Sequence, residues 1–258
     1  MKLFYSPNAC SLAPHIVLRE LGIPFELVKV DLQQHLTRFG EDFYQLNSKG
    51  QVPLLQLDDG QFLTEGAIIS QFLLDQAKRD DLLPKINTLP RYQVLAWMNF
   101  IASEIHKAYS PFFHESYGEQ TKAVFTEILN QHYVWIDQQL TGQLYLTGND
   151  LSIADIYLFV VTRWAGFIGL ELTHFKYLTS FMQRVANRQT ITKENVSQQQ
   201  KQQLIQEATE LVVRVLDKDP ATTFVVIDEV DTDNWGVAGE SVTTLRQKQA
   251  KCTVHQVE

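Results

Sequence analysis

The 258-residue sequence is poor in cysteine: Cys10 and Cys252 are the two it has, near opposite ends. Two thiols so far apart make no disulfide framework of the kind that staples small secreted domains, and they suit a reducing compartment. Long apolar runs are missing too. The longest, residues 156–170, is broken by Arg163 and falls short of the roughly 20 residues that a membrane-spanning helix needs. Met1-Lys2-Leu3-Phe4-Tyr5-Ser6-Pro7 contains no apolar segment of the sort that directs secretion. Positive charge is in deficit, 22 Lys and Arg against 30 Asp and Glu, for a formal charge of −8. A nucleic-acid footprint would show instead as a basic stripe. These absences set an expectation of a cytoplasmic protein without nucleic-acid or membrane partners, acting on small molecules or other proteins.

What is present is enough apolar residue, 45% of the chain, to fill two or three domains. Residues 1–80 alternate short strands and helices, the mark of an α/β unit. Leu3-Phe4-Tyr5 opens it as a strand. A helix from Ser11 carries Leu12, Ile16 and Leu21 on one face, tolerates Pro14 in its first turn, and stops at Gly22 with Pro24 beyond. Residues 25–30 alternate as a strand, and a polar connection leads to a hairpin through Leu54, Asp59-Gly60 and Phe62. Thr64-Glu65-Gly66 begins the next helix.

Residues 88–188 lose the strand signals and read as an all-α domain. One long helix over 91–113 repeats Leu95, Met98, Ile101, Ala102 and Ile105. A second over 121–140 repeats Val124, Ile128 and Trp135. Ser152-Ile153-Ala154-Asp155 is a capping box opening an apolar central helix. A third segment, 191–258, carries an amphipathic helix over 197–216 and a strand over 223–227, a small α/β unit of its own.

Cys10 stands out chemically. It lies in Pro7-Asn8-Ala9-Cys10-Ser11-Leu12-Ala13-Pro14, at a strand-to-helix turn, where unpaired N–H groups can lower a thiol pKa from ~8.5 into the ~3.5–7.5 range. The plain alternative is a small buried filler. Asn99, Ser103 and His106 would share one helical face at i, i+4 and i+7, a polar wall suited to a site. A histidine there can donate to a thiolate or move a proton near neutral pH.

Four spaced motifs, Pro7 to Pro14, Gln51-Val52-Pro53, Thr64-Glu65-Gly66-Ala67-Ile68 and Asn99 to His106-Lys107, closely resemble the bacterial beta-class glutathione transferases over residues 1–188. The resemblance implies a thioredoxin-like glutathione-binding domain plus an all-α helical domain, glutathione as co-substrate without a metal, a hydrophobic electrophile as second substrate, and a homodimer or higher homo-oligomer. Val52-Pro53 resembles the family's cis-proline turn, whose Val52 N–H and C=O would pair with the tripeptide like an added strand. Glu65 and the helix start at Gly66 suit the γ-glutamyl end, with its ammonium and carboxylate. By the same resemblance, His106 approaches the glutathione sulfur near Cys10, and Asn99, Ser103, Glu104 and Ile105 join the glutathione-binding set. His35 departs from the pattern. Related enzymes generally place a lysine there near the glycyl carboxylate, and histidine is mostly neutral at pH 7, so weaker and more pH-dependent binding is expected.

The segment from 191 resembles a small tautomerase of the 4-oxalocrotonate type, through Leu204-Ile205, Pro220-Ala221-Thr222-Thr223 and Asn234-Trp235-Gly236-Val237-Ala238-Gly239. That family's base is an amino-terminal proline. Here its position falls near Val185 or Ala186 inside the chain, where no free amine exists. Val196 and Val225 stand where substrate-binding arginines are aligned, while Trp235 keeps an aromatic position. The tail is therefore expected to be an inactive assembly module. The leading expectation is conjugation of glutathione to hydrophobic electrophiles, with or without thiol–disulfide exchange at Cys10. Ala13 stands where a dithiol motif would place its second cysteine, so the resolving thiol must come from glutathione. The alternative is a non-catalytic scaffold on the same fold, organised by the tail.

Overall fold

The structure, a computed structural model, describes residues 1–114, 116–188, 205–211 and 213, with the backbone of 236–237 and 240–241. The chain divides into two compact units, Met1–Ile191 and Thr192–Glu258.

The first unit opens with β1 (Lys2–Tyr5), α1 (Leu12–Leu21), β2 (Glu26–Asp31) and β3 (Leu36–Thr37), then β4 (Leu54–Gln56), β5 (Phe62–Thr64) and α2 (Gly66–Ala77). The strands form one mixed sheet in the order β3-β2-β1-β4-β5. β1 runs parallel to β2, with Leu3 opposite Leu27, and antiparallel to β4, with Leu3 opposite Leu55. Side chains of a strand alternate between faces, so neighbouring residues serve different cores. Leu3 and Leu55 join Ile16 of α1 and Ile69 and Leu73 of α2 in the main core. Phe4, Val28, Val30 and Leu54 face the other way and close a smaller core over Phe43 and Val52. The sequence pattern reads the stretch between Val30 and Val52 as a plain polar connection. It holds β3 and a single 3-10 turn, Phe43–Gln45, whose one apolar anchor is the fully buried Phe43.

Gly22 ends α1 at φ 63, with its N–H donating to the Arg19 carbonyl, a left-handed cap that glycine adopts without penalty. The Val52–Pro53 bond is cis. A bidentate pair ties α2 to the helical half that follows: Arg91 donates to both carboxylate oxygens of Asp75 in α2, at 2.9 and 2.8 Å.

The helical half comprises α3 (Leu89–Phe100), α4 (Glu119–Gln139), α5 (Ile153–Thr162) and α6 (Lys176–Ala186). All ten residues of α5 are buried, as an all-round apolar helix must be. Its start is fixed by Asp155, whose Oδ2 accepts from Ser152 N–H and hydroxyl at 2.7 Å each while Oδ1 accepts from Leu146 N–H at 2.8 Å. Two expectations need correction. On α4 the buried stripe is Leu129, Tyr133 and Ile136; Val124 and Trp135 are 59% and 41% exposed. Trp135 instead lies beside Trp97 and Phe100, at ring distances of 5.0 and 4.9 Å. The expected single helix over 91–113 is α3, then a π turn Ile101–His106, then a separate 3-10 turn Ser110–Phe113.

In the second unit, residues 205–211 are helical, and β6 (Gly236–Val237) pairs antiparallel with β7 (Glu240–Ser241). The strand expected over 223–227, together with Val196, Val225, Trp235 and Cys252, lies outside the described residues. Val185 is fully buried within α6.

Candidate active site

A cleft of about 880 Å³ lies between the turn after β1, the start of β4, the β5–α2 junction and the helical half. It brings together Cys10, His35, Val52, Pro53, Glu65, Gly66 and His106. Asn99, Ser103 and Glu104 are exposed and outside its lining, and Ile105 is fully buried in the helical core. The π turn is the reason. Its wider i→i+5 winding breaks the i, i+4, i+7 register that placed Asn99, Ser103 and His106 on one face. Ile101 and Ile105 turn to the core, while Ala102, His106 and Lys107 reach the cleft.

Cys10 is held by a stapled turn. Ser11 Oγ accepts from Ser6 N–H at 3.2 Å and donates to the Ser6 carbonyl at 3.3 Å. From the helical half, Trp164 Nε1 donates to the Asn8 carbonyl at 2.7 Å. The Cys10 thiol is half-buried and donates to the Val52 carbonyl at 3.5 Å. Its pKa is pushed up to about 11, foremost by burial and also by Glu65, against the opposing pull of the Cys10 and Ser11 N–H groups and Lys107. This corrects the expected lowering. The helix start does favour the thiolate, but desolvation of the charged form outweighs it.

His106 follows the same logic with opposite sign. Burial, helped by Lys107 and opposed by Glu65, lowers it to about 4, so the ring is neutral at pH 7 and does not titrate near neutrality. Its Nδ1 lies 2.6 Å from the Tyr157 hydroxyl, and its ring is 5.0 Å from that of Trp164.

Glu65 sits at φ 70, immediately before α2, and accepts from Ile68 and Ile69 N–H through its carbonyl at 2.9 and 2.8 Å. A non-glycine residue in this region costs about 1–3 kcal/mol and persists only where its surroundings dictate it. Its carboxylate takes the Lys49 ammonium at 2.5 Å, and Lys49 also donates to Thr64 Oγ1 at 3.0 Å. His35, at φ 54, shares a 3.1 Å hydrogen bond with the Tyr44 hydroxyl, while its buried Nδ1 has no hydrogen-bond partner among the described residues. Gly50 is required beneath this pair, because a Cβ there would come 2.6 Å from the Tyr44 ring.

Lys49, Tyr157 and Trp164 line the cleft and escaped sequence reasoning as site residues. The seven-residue spacing of Tyr157 and Trp164 after the capping box was a usable signal. Lys49 carries none beyond its place two residues before Gln51. Among the described residues no group of three or more His, Cys, Asp or Glu is arranged to hold a metal ion. No described helix is long and apolar enough to cross a membrane.

A mixed sheet bearing a thiol at its first strand-to-helix turn, joined to a helical half that closes the cleft, defines the glutathione S-transferase class. The family of glutathione S-transferase N-terminal domains matches residues 9–76, that of the C-terminal domains residues 100–189, and the tautomerase enzymes residues 190–245. Glutathione S-transferase GstA of Escherichia coli O157:H7 is 43% identical over 188 residues, 73% of this chain and 94% of that protein. A solved sphingomonad glutathione S-transferase complexed with glutathione is 41% identical, with a TM-score of 0.72 over 75% of this chain and 96% of its own. "Probable tautomerase K2" of Dickeya dadantii (strain 3937) is 60% identical over 58 residues, 22% of this chain and 87% of that protein. The chain belongs to the glutathione S-transferase family, with a C-terminal segment that belongs to the tautomerases.

Proposed function

We propose that this transferase conjugates glutathione to hydrophobic electrophiles and also exchanges disulfides with glutathione through Cys10. The observation that supports the reading is the meeting, in one cleft, of the Cys10 thiol, the Val52–Pro53 backbone, the Glu65–Gly66 helix start and His106. Glutathione lies along Val52 like an added strand, with its γ-glutamyl ammonium on Glu65, its γ-glutamyl carboxylate on the N–H groups at Gly66, and its glycyl carboxylate toward His35. Asn99, Ser103, Glu104 and Ile105 stand outside the cleft, and the proposal gives them no step. Rings at the cleft edge, with Phe113 and Phe167 51% and 60% exposed, offer an apolar electrophile a surface.

In conjugation the glutathione sulfur forms a bond to the electrophilic carbon, the leaving group departs with its electron pair, and the thiol proton passes to solvent. In exchange the Cys10 thiolate attacks the glutathione sulfur of a disulfide between glutathione and another thiol, forms a mixed disulfide with glutathione and expels the other thiol as a thiolate. A second glutathione thiolate then attacks the glutathione sulfur of that mixed disulfide and releases Cys10. The tautomerase segment serves assembly, since its base position is an internal residue with no free amine.

One experiment tests both halves. The full chain and a chain ending at Arg188 are assayed with glutathione and an activated aryl chloride, and their assembly size is measured by light scattering. Equal turnover per chain with a smaller assembly in the shortened form is the expected result. Absence of turnover in both would favour a scaffold.

A further inference from the structure

We propose that Tyr157 is a positioning residue that fixes the tautomer of His106, so that this histidine presents Nε2–H, a neutral hydrogen-bond donor, to the sulfur held in the cleft. The proposal rests on the reading of the cleft as a glutathione site and adds the atom through which His106 acts.

The geometry carries the argument. His106 Nδ1 and the Tyr157 hydroxyl are 2.6 Å apart, and the two rings stand nearly perpendicular, at 86°. Both side chains line the cleft. Either the phenol donates to a bare Nδ1, or Nδ1–H donates to the phenol oxygen. A separation of 2.6 Å falls in the range of O–H donors and is short for an N–H donor, whose bonds to oxygen run about 2.7–3.2 Å. A neutral imidazole nitrogen is also a better acceptor than a phenol oxygen. The Tyr157 hydroxyl is held well above the ordinary tyrosine range by burial, with Cys10 and Glu65 adding to it, so it keeps its proton. His106, held uncharged by burial, has one proton to place. With Nδ1 accepting, that proton sits on Nε2, which makes no hydrogen bond among the described residues.

The consequence is chemical. The reverse tautomer would aim a lone pair at a developing thiolate and repel it. The tautomer set by Tyr157 aims a donor at it, with no charge to be moved first. The histidine then stabilises the sulfur anion as a fixed dipole, and the thiol proton leaves by another route.

The test is nitrogen-15 NMR of the full chain labelled at histidine, with the His106 signals assigned by their absence in His106→Gln. In the wild-type protein at about pH 7, Nδ1 is expected to show the shift of an unprotonated acceptor and Nε2 that of an N–H nitrogen. Tyr157→Phe, which keeps the ring, is expected to mix the tautomers and to lower kcat about tenfold, the worth of one orienting hydrogen bond, with little change in KM for glutathione. A wild-type Nδ1–H, or a Tyr157→Phe variant with unaltered tautomer and kcat, overturns the proposal. Failure of the wild-type chain to bind glutathione, with the Nε2–H tautomer intact, would instead overturn the reading of the cleft.

Discussion

Cys10 and His106 both meet the same force, loss of water around an ionic form, and respond in opposite directions. The thiol holds its proton and the imidazole stays neutral, so the cleft carries no charge at these two side chains. Its charges sit on Glu65, Lys49 and Lys107. His35 illustrates how far a single side chain reads from sequence. Its type suggested weak recognition of a carboxylate, but its positive φ, its ring 4.3 Å from Tyr44 and its Nδ1, without a partner among the described residues, go with the close approach of Gly50 and with the Phe43 N–H that donates to the His35 carbonyl at 2.8 Å, which no spacing encodes. His35→Lys puts an ammonium at this wall at the cost of the ring contact. It should tighten glutathione binding about two- to fivefold at pH 8, as a partly exposed ion pair allows. Calorimetric titration showing equal or weaker binding would remove His35 from the glycyl end.

At the scale of elements, the start of α5 and the π turn do most to position the cleft. Asp155 gathers Leu146 and Ser152 N–H in a buried setting. Asp155→Ala leaves both donors without an acceptor and should lower stability by about 2–4 kcal/mol, read from the urea midpoint. A pH signature accompanies it. Burial raises the Asp155 carboxyl from 3.8 to about 6, so between these values the folded chain keeps a proton that the unfolded chain has released. Stability from this group is therefore greatest below 3.8 and declines as pH rises through about 6, and the alanine variant should lose that slope. The capping box was legible because four adjacent residues suffice to write it. The π turn was not, because helix period alone cannot signal one extra residue per turn, and with it went the face assigned to Asn99 and Ser103. The burial of α4 misread for a related reason: Trp135 packs on Trp97 and Phe100 near the surface, while Tyr133 buries its hydroxyl on Tyr109 at 2.8 Å.

For the whole molecule, the sequence made the order of strands and helices and the two successive architectures of the first unit readable, because local periodicity and turn residues agree with the fold they build. Segments far apart in sequence are joined by contacts no pattern announces, such as Arg188 Nε donating to Glu20 at 3.2 Å and Trp164 reaching Asn8. The balance of dipole against burial at Cys10 belongs to this scale as well, since it needs the helical half in place over the thioredoxin-like one. The central claim, a half-buried thiol that exchanges with glutathione in this cleft, is tested most directly by intact mass. The full chain and Cys10→Ala are incubated with oxidised glutathione across about pH 6 to 10, and the rate of adduct formation is followed. The account predicts one glutathione per chain, none on Cys10→Ala, and a rate that climbs roughly tenfold per pH unit without levelling near the ordinary thiol pKa of ~8.5, because the attacking thiolate grows in proportion up to about 11. No adduct, an adduct that survives in Cys10→Ala, or a rate that levels off by about pH 9 would contradict it.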